Sequence, residues 1–244
     1  MKKRIDVLVL EKGLYLTSKD AQAGIMAGSV IVDGKVIDKT GTKVSDDAVI
    51  EIKKEMPYVS QGGLKLEKAL KDFNIEVKNK ICFDVGASTG GFTDCMLQHG
   101  AAKVYAIDVG CNLLDYKLRQ DKRVINTEEK NVRYLRKEDI AEPVDLTTID
   151  VSFISLEKII PAVKNVLKSN GEVLALIKPQ FEVEKNEVEK GGVVKDEKLH
   201  TKVIDKIKKL AAENGFEVLG VMPTPKLPRV RNVEYFIYLR LNTI

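Results

Sequence analysis

Apolar positions repeat along the chain with two textures, and the change from one to the other divides it. In residues 4–12, Ile5, Leu8 and Val9 fall at helical spacing, and Gly13 follows as a residue suited to the left-handed position past a helix end. Val7 and Val9 also alternate, so a strand is the competing reading of this stretch. The next helix is better marked. Thr17 or Ser18 can cap it, Asp20 sits in its first turn, Ile25 and Met26 supply an apolar face, and Gly28 ends it. Val30, Ile31 and Val32, the pair Asp33-Gly34, then Val36 and Ile37 predict a hairpin, and residues 49–52 a further short strand. Residues 1–55 therefore read as a small α+β domain and 56–60, around Pro57, as a linker.

From residue 61 to 244 apolar runs alternate with amphipathic stretches. Seven runs predict strands, at 81–85, 104–107, 124–125, 146–151, 173–177, 218–222 and 235–239. Helical stretches lie at about 91–99, 112–120, 155–168 and 196–214. Such alternation predicts an α/β domain with a mostly parallel sheet covered on both faces, its ligand held at the carboxyl ends of the strands. The charged, apolar-poor run 182–190 reads as a mobile loop or a solvated surface.

Composition narrows the function classes. Hydrophobic residues make up 44% and charged residues 31% of 244, as in a soluble folded protein. No apolar run approaches the ~18 residues of a membrane helix. The basic start Met1-Lys2-Lys3-Arg4 runs into Asp6 and Glu11, so no signal segment is read and a cytoplasmic location is expected. Cys82, Cys95 and Cys111 lie far apart and form no CxxC, which argues against a disulfide framework and against a metal site. With only His99 and His200, a His-centred hydrolase triad is disfavoured. The 40 basic and 36 acidic residues nearly cancel, to +4, so what matters is where the basic ones sit.

Residues 81–93 read as a strand, a small-residue turn and a helix start. Gly86 permits a tight turn, Gly90 and Gly91 allow close approach, and Ser88, Thr89 and Phe92 complete the segment at a helix N-terminus that offers free N–H groups. Asp108, followed by Val109, ends the next strand about twenty residues on, where a carboxylate can accept from ribose hydroxyls. Ser88 stands at the second glycine position of the dinucleotide fingerprint, and Asp84 before the turn suits a cation. Both favour S-adenosylmethionine over a nicotinamide dinucleotide, which leaves a dehydrogenase as the enzymatic alternative.

Charged residues also stand where a buried sheet ends. Lys178 directly follows the run 172–177, Asp150 ends the preceding strand, Lys65 sits in 61–66, and Glu234 opens the last strand. Each alone has a bland explanation, as a snorkelling lysine or a surface carboxylate. Together they suggest a Lys/Asp/Lys/Glu constellation.

The segments 60–66, 84–94, 149–155, 178–182, 191–196 and 232–235, in this order, resemble the TlyA family, hemolysin-A-like proteins with an FtsJ-like methyltransferase domain. Residues 1–55 resemble the S-four RNA-binding domain, named for a ribosomal protein, that precedes it. The resemblance implies a Rossmann-like, seven-stranded, S-adenosylmethionine-dependent methyltransferase domain at 61–244. Its expected activity is 2′-O-ribose methylation of ribosomal RNA, at a cytidine of large-subunit RNA, with small-subunit RNA as a further candidate. The short N-terminus and the stop soon after the last strand resemble the subgroup acting on the large subunit. A catalytic tetrad maps onto Lys65, Asp150, Lys178 and Glu234, with Asp150 also beside the cofactor and Lys178 as the base. An ordinary lysine, with a pKa of about 10.4, is neutral in only ~0.04% of molecules at pH 7, so such a base depends on its surroundings. The family has arginine at Gln61, glutamine at Leu113, an arginine-threonine pair at Glu129-Lys130, and glycines at Pro228 and Arg231.

The partner implied is ribosomal RNA or a ribosomal subunit, with no membrane and no obligate protein partner. Lys2, Lys3, Arg4, Lys19 and Lys35 are the candidate phosphate contacts of the first domain, and Lys226, Arg229 and Arg231 of the last loop. Few aromatics look exposed, so RNA shape and a flipped-out nucleotide are expected to govern recognition. A membrane-lytic toxin, as the hemolysin label suggests, lacks an apolar span.

Overall fold

The computed structural model describes residues 2–53, 56–227 and 231–242. It forms two compact units, Met1–Met56 and Pro57–Ile244. In the first, β1 (Lys2–Arg4) leads into α1 (Ile5–Glu11) and α2 (Ser18–Met26), followed by β2 (Val30–Val32), β3 (Lys35–Ile37), β4 (Lys43–Ser45) and β5 (Ile50–Ile52). The stretch open to two readings is a helix, because Ile5, Leu8 and Val9 are buried together while Val7 faces out. Thr17 caps α2, its hydroxyl oxygen accepting from the Asp20 N–H at 3.1 Å. β2 lies between β3 and β5, antiparallel to both. β1 and β4 pair antiparallel, and neither was legible in the sequence: of their six residues only Val44 is a buried apolar side chain, so no alternation marks them.

The second unit opens with α3 (Gln61–Asp72), which the sequence reading left unassigned. It continues with β6 (Ile81–Val85), α4 (Gly91–Gln98), β7 (Lys103–Ile107), α5 (Tyr116–Arg119), β8 (Val124–Thr127), β9 (Val144–Ile149), α6 (Ile160–Lys164), β10 (Leu167–Ile177), α7 (Glu197–Glu213), β11 (Phe216–Pro223) and β12 (Tyr235–Leu241). The helix expected at 112–120 is only the short α5. That expected at 155–168 breaks into a 3-10 turn and α6, and β10 begins at Leu167.

The seven strands form one mixed sheet in the order β11-β12-β10-β9-β6-β7-β8. β6 through β10 run parallel, and β12 inserts antiparallel between β10 and β11. Chain order reverses at β6, which lies between β7 and β9, so the crevice above its carboxyl end is where such sheets take ligands. Two apolar clusters cover the faces, one around Val85, Ile149, Ile177 and Ile207, the other around Leu66, Met96, Leu146 and Phe236.

The segment expected as a linker is anchored in this unit. The Val59 N–H donates to Asp94 Oδ2 at 2.9 Å, and the Pro57 carbonyl accepts from Gln98 Nε2 at 2.8 Å. Buried Tyr58 packs so closely on Gly63 that a Cβ there would lie 2.2 Å from its ring.

Candidate active site

Three left-handed residues shape the turn between β6 and α4: Gly86 at φ 82°, Ser88 at φ 49° and Gly90 at φ 95°. At Gly86 the reason is close approach, since a Cβ would stand 2.4 Å from the Asp150 carbonyl oxygen. The Asp108 carboxylate is tied into the same turn, accepting the N–H groups of Ser88 and Gly110, each at 2.8 Å. That fixes its orientation and leaves lone pairs for further donors. Gly86, Ser88, Asp108, Val109 and Asp150 line one cavity of about 670 Å³, together with Asn131, Val132, Ser152 and Phe153. The volume lies within the range of small-ligand sites.

The four charged residues of the tetrad meet the sheet at one edge. Ile177 pairs with Tyr235 across antiparallel strands, which places Lys178 and Glu234 at the next positions of the same register. Asp150 follows the last residue of β9, its N–H bound to the Val85 carbonyl at 2.9 Å. Lys65, on α3, donates from Nζ to Glu234 Oε2 at 2.6 Å, and both side chains are buried. Lys178 Nζ lies 2.5 Å from Asp150 Oδ1 but donates along a hydrogen-bond direction to Ser152 Oγ, at 3.1 Å. Asp150 Oδ1 thus has a charged neighbour yet no directional hydrogen bond.

The sequence profile of the FtsJ-like methyltransferase family matches residues 58–241, and that of the S4 domain matches 3–50. The chain belongs to the FtsJ-like methyltransferase family. It is 40% identical over 242 residues to the Mycobacterium tuberculosis protein named 16S/23S rRNA (cytidine-2′-O)-methyltransferase TlyA, covering 98% of this chain and 90% of that one. To Hemolysin A of Brachyspira hyodysenteriae it is 42% identical over 236 residues, 96% of this chain and 98% of that one. A Streptococcus thermophilus protein of known structure superimposes with a TM-score of 0.76 at 44% identity, covering 99% of this chain and 89% of that one.

For this FtsJ-like methyltransferase several expected contacts turn out to be architectural. Asp84 is fully buried, and its two oxygens accept from the hydroxyls of Thr93 (2.7 Å) and Thr148 (3.0 Å). It joins β6, α4 and β9, and in this arrangement both of its oxygens are engaged within the fold and none of its surface is exposed. Burial, partly offset by those two hydroxyls, pushes its carboxyl up to about 6. Gly91 lets α3 and α4 close, because a Cβ would lie 2.2 Å from Ser60 Oγ, and Phe92 packs on Phe236 in the core. A Cβ at Gly90 would strike Leu118, so Gly90 shapes the turn, while exposed Thr89 accepts the Asp115 N–H through its carbonyl.

The candidate RNA contacts also divide. Lys2, Lys19, Lys35, Lys226 and Arg231 are exposed. Lys3 pairs with Glu11 at 2.6 Å and Asp46 at 3.5 Å. Arg4 forks onto Asp6 at 2.7 and 3.0 Å, holding that carboxyl below its usual range, so both cations are engaged within their own unit. Arg229, like Pro228, lies outside the described residues.

Sequence reasoning missed Ser152 and Phe153. Phe153 is 91% exposed, lines the cavity and adopts φ 62°, a conformation rare for a bulky residue. Among the described residues the other exposed aromatics are Tyr116 and Tyr134, so few are exposed, as expected, but Phe153 stands at the cavity. No local pattern distinguishes an outward-facing Phe from a core one, although 149–155 was among the segments carrying the family resemblance. Among the described residues no helix is long and apolar enough to cross a membrane, and no cluster could hold a metal ion.

Proposed function

We propose that this protein transfers a methyl group from S-adenosylmethionine to the ribose 2′-oxygen of a cytidine in ribosomal RNA, in the cytoplasm. The observation that carries the reading is that buried Lys178 reaches Asp150 and Ser152, both of which line the cavity that Asp108 and Gly86 also line. Gly86, Ser88, Asp108 and Val109 would hold the nucleoside part of the cofactor, Asp108 accepting from its ribose hydroxyls. When bound, the cofactor supplies the electrophilic methyl group.

What the chain's own residues do follows from the reaction. In-line displacement requires the attacking oxygen to be aligned and its proton removed. Lys178 Nζ, once it has released its own proton to solvent, is the group placed to receive the proton of the attacking oxygen, and Asp150 and Ser152 orient it. Lys65 and Glu234 act behind it, as a buried pair that fixes the start of β12. Exposed Phe153 at the cavity offers a face on which a flipped-out base can stack, a contact of about 1–3 kcal/mol. Ribosomal RNA and its cytidine are suggested by the named relative, and RNA binding by the S4 domain. Lys2, Lys19 and Lys35 are the exposed cations that would follow a phosphate backbone in the first unit.

The test is incubation with labelled S-adenosylmethionine and unmodified ribosomal subunits, followed by mapping of the methyl group. A methyl on a cytidine 2′-oxygen is expected. A methyl on a base, or transfer unchanged in Lys178→Ala, overturns the assignment, and lysis of lipid vesicles by the pure protein would redirect it to the activity in the relative's name.

A further inference from the structure

We infer that Glu182, in the run expected to be mobile or solvated, is a positioning residue whose buried carboxylate holds residues 152–156, and with them Ser152 and Phe153, against the turn that carries Lys178. Its side chain is only 2% exposed. Oε1 accepts the Leu156 N–H at 2.8 Å, and Oε2 accepts the Ser155 hydroxyl at 2.7 Å. Lys206, from α7, stands 3.6 Å from Oε2 and also pairs with Glu157 at 3.0 Å. Among the described residues, every hydrogen-bond donor to this carboxylate therefore comes from the segment that follows Asp150, while its ion-pair partner comes from α7.

Among the described residues, three ties join 152–156 to 178–182. Lys178 donates to Ser152, the rings of Phe153 and Phe181 lie 5.0 Å apart, and Glu182 grips Ser155 and Leu156. Only the third is well buried. The backbone between these ties carries strain, since Phe153 sits at φ 62°, and a non-glycine residue persists there only where its surroundings over-determine it. Glu182 supplies that constraint two residues downstream. Burial pushes its carboxyl up, against the Leu156 N–H, the Ser155 hydroxyl and Lys206, which favour the charge. A buried carboxylate is an expensive way to fill space, and here its acceptor capacity is spent on one loop.

The proposal rests on the reading that Lys178 and Phe153 face the substrate, so its test has one arm that needs no substrate. In hydrogen exchange of the free protein, Glu182→Ala is expected to speed exchange at residues 153–156 at least about tenfold, with β9 and β10 unchanged. Unchanged exchange at 153–156 overturns the inference and leaves the methyltransferase reading intact. Failure of the wild type to methylate ribosomal RNA overturns that reading whatever exchange shows.

In the activity arm, Glu182→Ala is expected to raise the KM for ribosomal subunits about tenfold or more, with cofactor affinity kept within about twofold. Glu182→Gln, which still accepts from Leu156, should recover most of the loss. A double-mutant cycle separates positioning from general destabilisation: in a Phe153→Ala background the Glu182 substitution should add less than about twofold. Additive losses, or an equal loss of cofactor binding, overturn the proposal. If Glu182→Ala does not fold, Ser155→Ala enters the same cycle and the same exchange measurement, with a smaller effect in the same direction.

Discussion

Lys65–Glu234 and Lys178–Asp150 are ion pairs of 2.6 and 2.5 Å at the same edge of the sheet, yet they are closed to different degrees. In the first, a directional hydrogen bond joins two side chains that are 11% and 8% exposed, and neither residue is among the described lining of the cavity. In the second, Lys178 is as buried as Lys65, at 10%, and is likewise absent from that lining, but Asp150 is 25% exposed and lines the cavity, and the lysine directs its hydrogen bond to Ser152, which lines it too. Pairing in a dry interior offsets desolvation only when geometry is good and both partners are satisfied. The first pair meets that condition and is suited to holding β12 in register. The second leaves the buried Asp150 Oδ1 with a charged neighbour but no directional hydrogen bond, while the rest of that side chain is open to the cavity.

The comparison predicts opposite signatures on truncation. Lys178→Ala removes the proposed proton acceptor and should lower the methyl-transfer rate by about 10²–10⁴. Its melting temperature should change little, because the Asp150 left behind is reachable by water. Lys65→Ala instead strands Glu234 in the interior and should cost about 3–5 kcal/mol of stability, read by chemical denaturation. Equal stability losses in the two variants would erase the distinction. Replacing the closed pair together, as Lys65→Met with Glu234→Leu, should restore most of that stability, since an apolar pair of similar size has no charge to desolvate.

How far this site could be read in advance depended on whether its residues carry a local pattern. The strands around it are runs of Val, Ile and Leu, as at 81–85 and 173–177, and Asp150, Lys178 and Glu234 stand at strand ends, where a charge interrupts an apolar run, while Lys65 reaches in from α3. α3 was obscured because it begins Gln61-Gly62-Gly63, yet glycine is what lets Tyr58 lie on the helix at Gly63. β10 starts early through Lys168-Ser169-Asn170-Gly171, a turn-like string that joins the sheet with a register irregularity. Asp84 read as a ligand for a cation because sequence shows a carboxylate beside a glycine turn, whereas the threonines that occupy it lie nine and 64 residues away. Glu182 was hidden by its charged neighbours, since burial of one member of a charged run is decided by tertiary packing alone. Lys3 and Arg4 likewise look free until their acidic partners are seen in place.

Asp84 also offers the finest test of the open pair. The Asp150 charge adds to the burial that raises the Asp84 carboxyl to about 6. A carboxyl whose pKa is higher in the folded protein than in the unfolded chain favours the fold while protonated. Its contribution is complete below about pH 4 and is lost as pH rises through about 6. Asp84→Asn should therefore leave stability unchanged near pH 4 and increase it progressively above, by at most about 3 kcal/mol at neutral pH. The asparagine must still meet Thr93 and Thr148, whose hydroxyls can both donate and accept. Denaturation of wild type and variant across this range gives the difference directly. Repeating it in an Asp150→Asn background decides how open the second pair is. If Lys178 leaves the Asp150 charge partly uncompensated, removing that charge lowers the Asp84 pKa and shrinks the gain from Asp84→Asn. An identical gain in both backgrounds would mean that Lys178 already neutralises Asp150, and that the two pairs differ in access to the cavity but not in electrostatic closure.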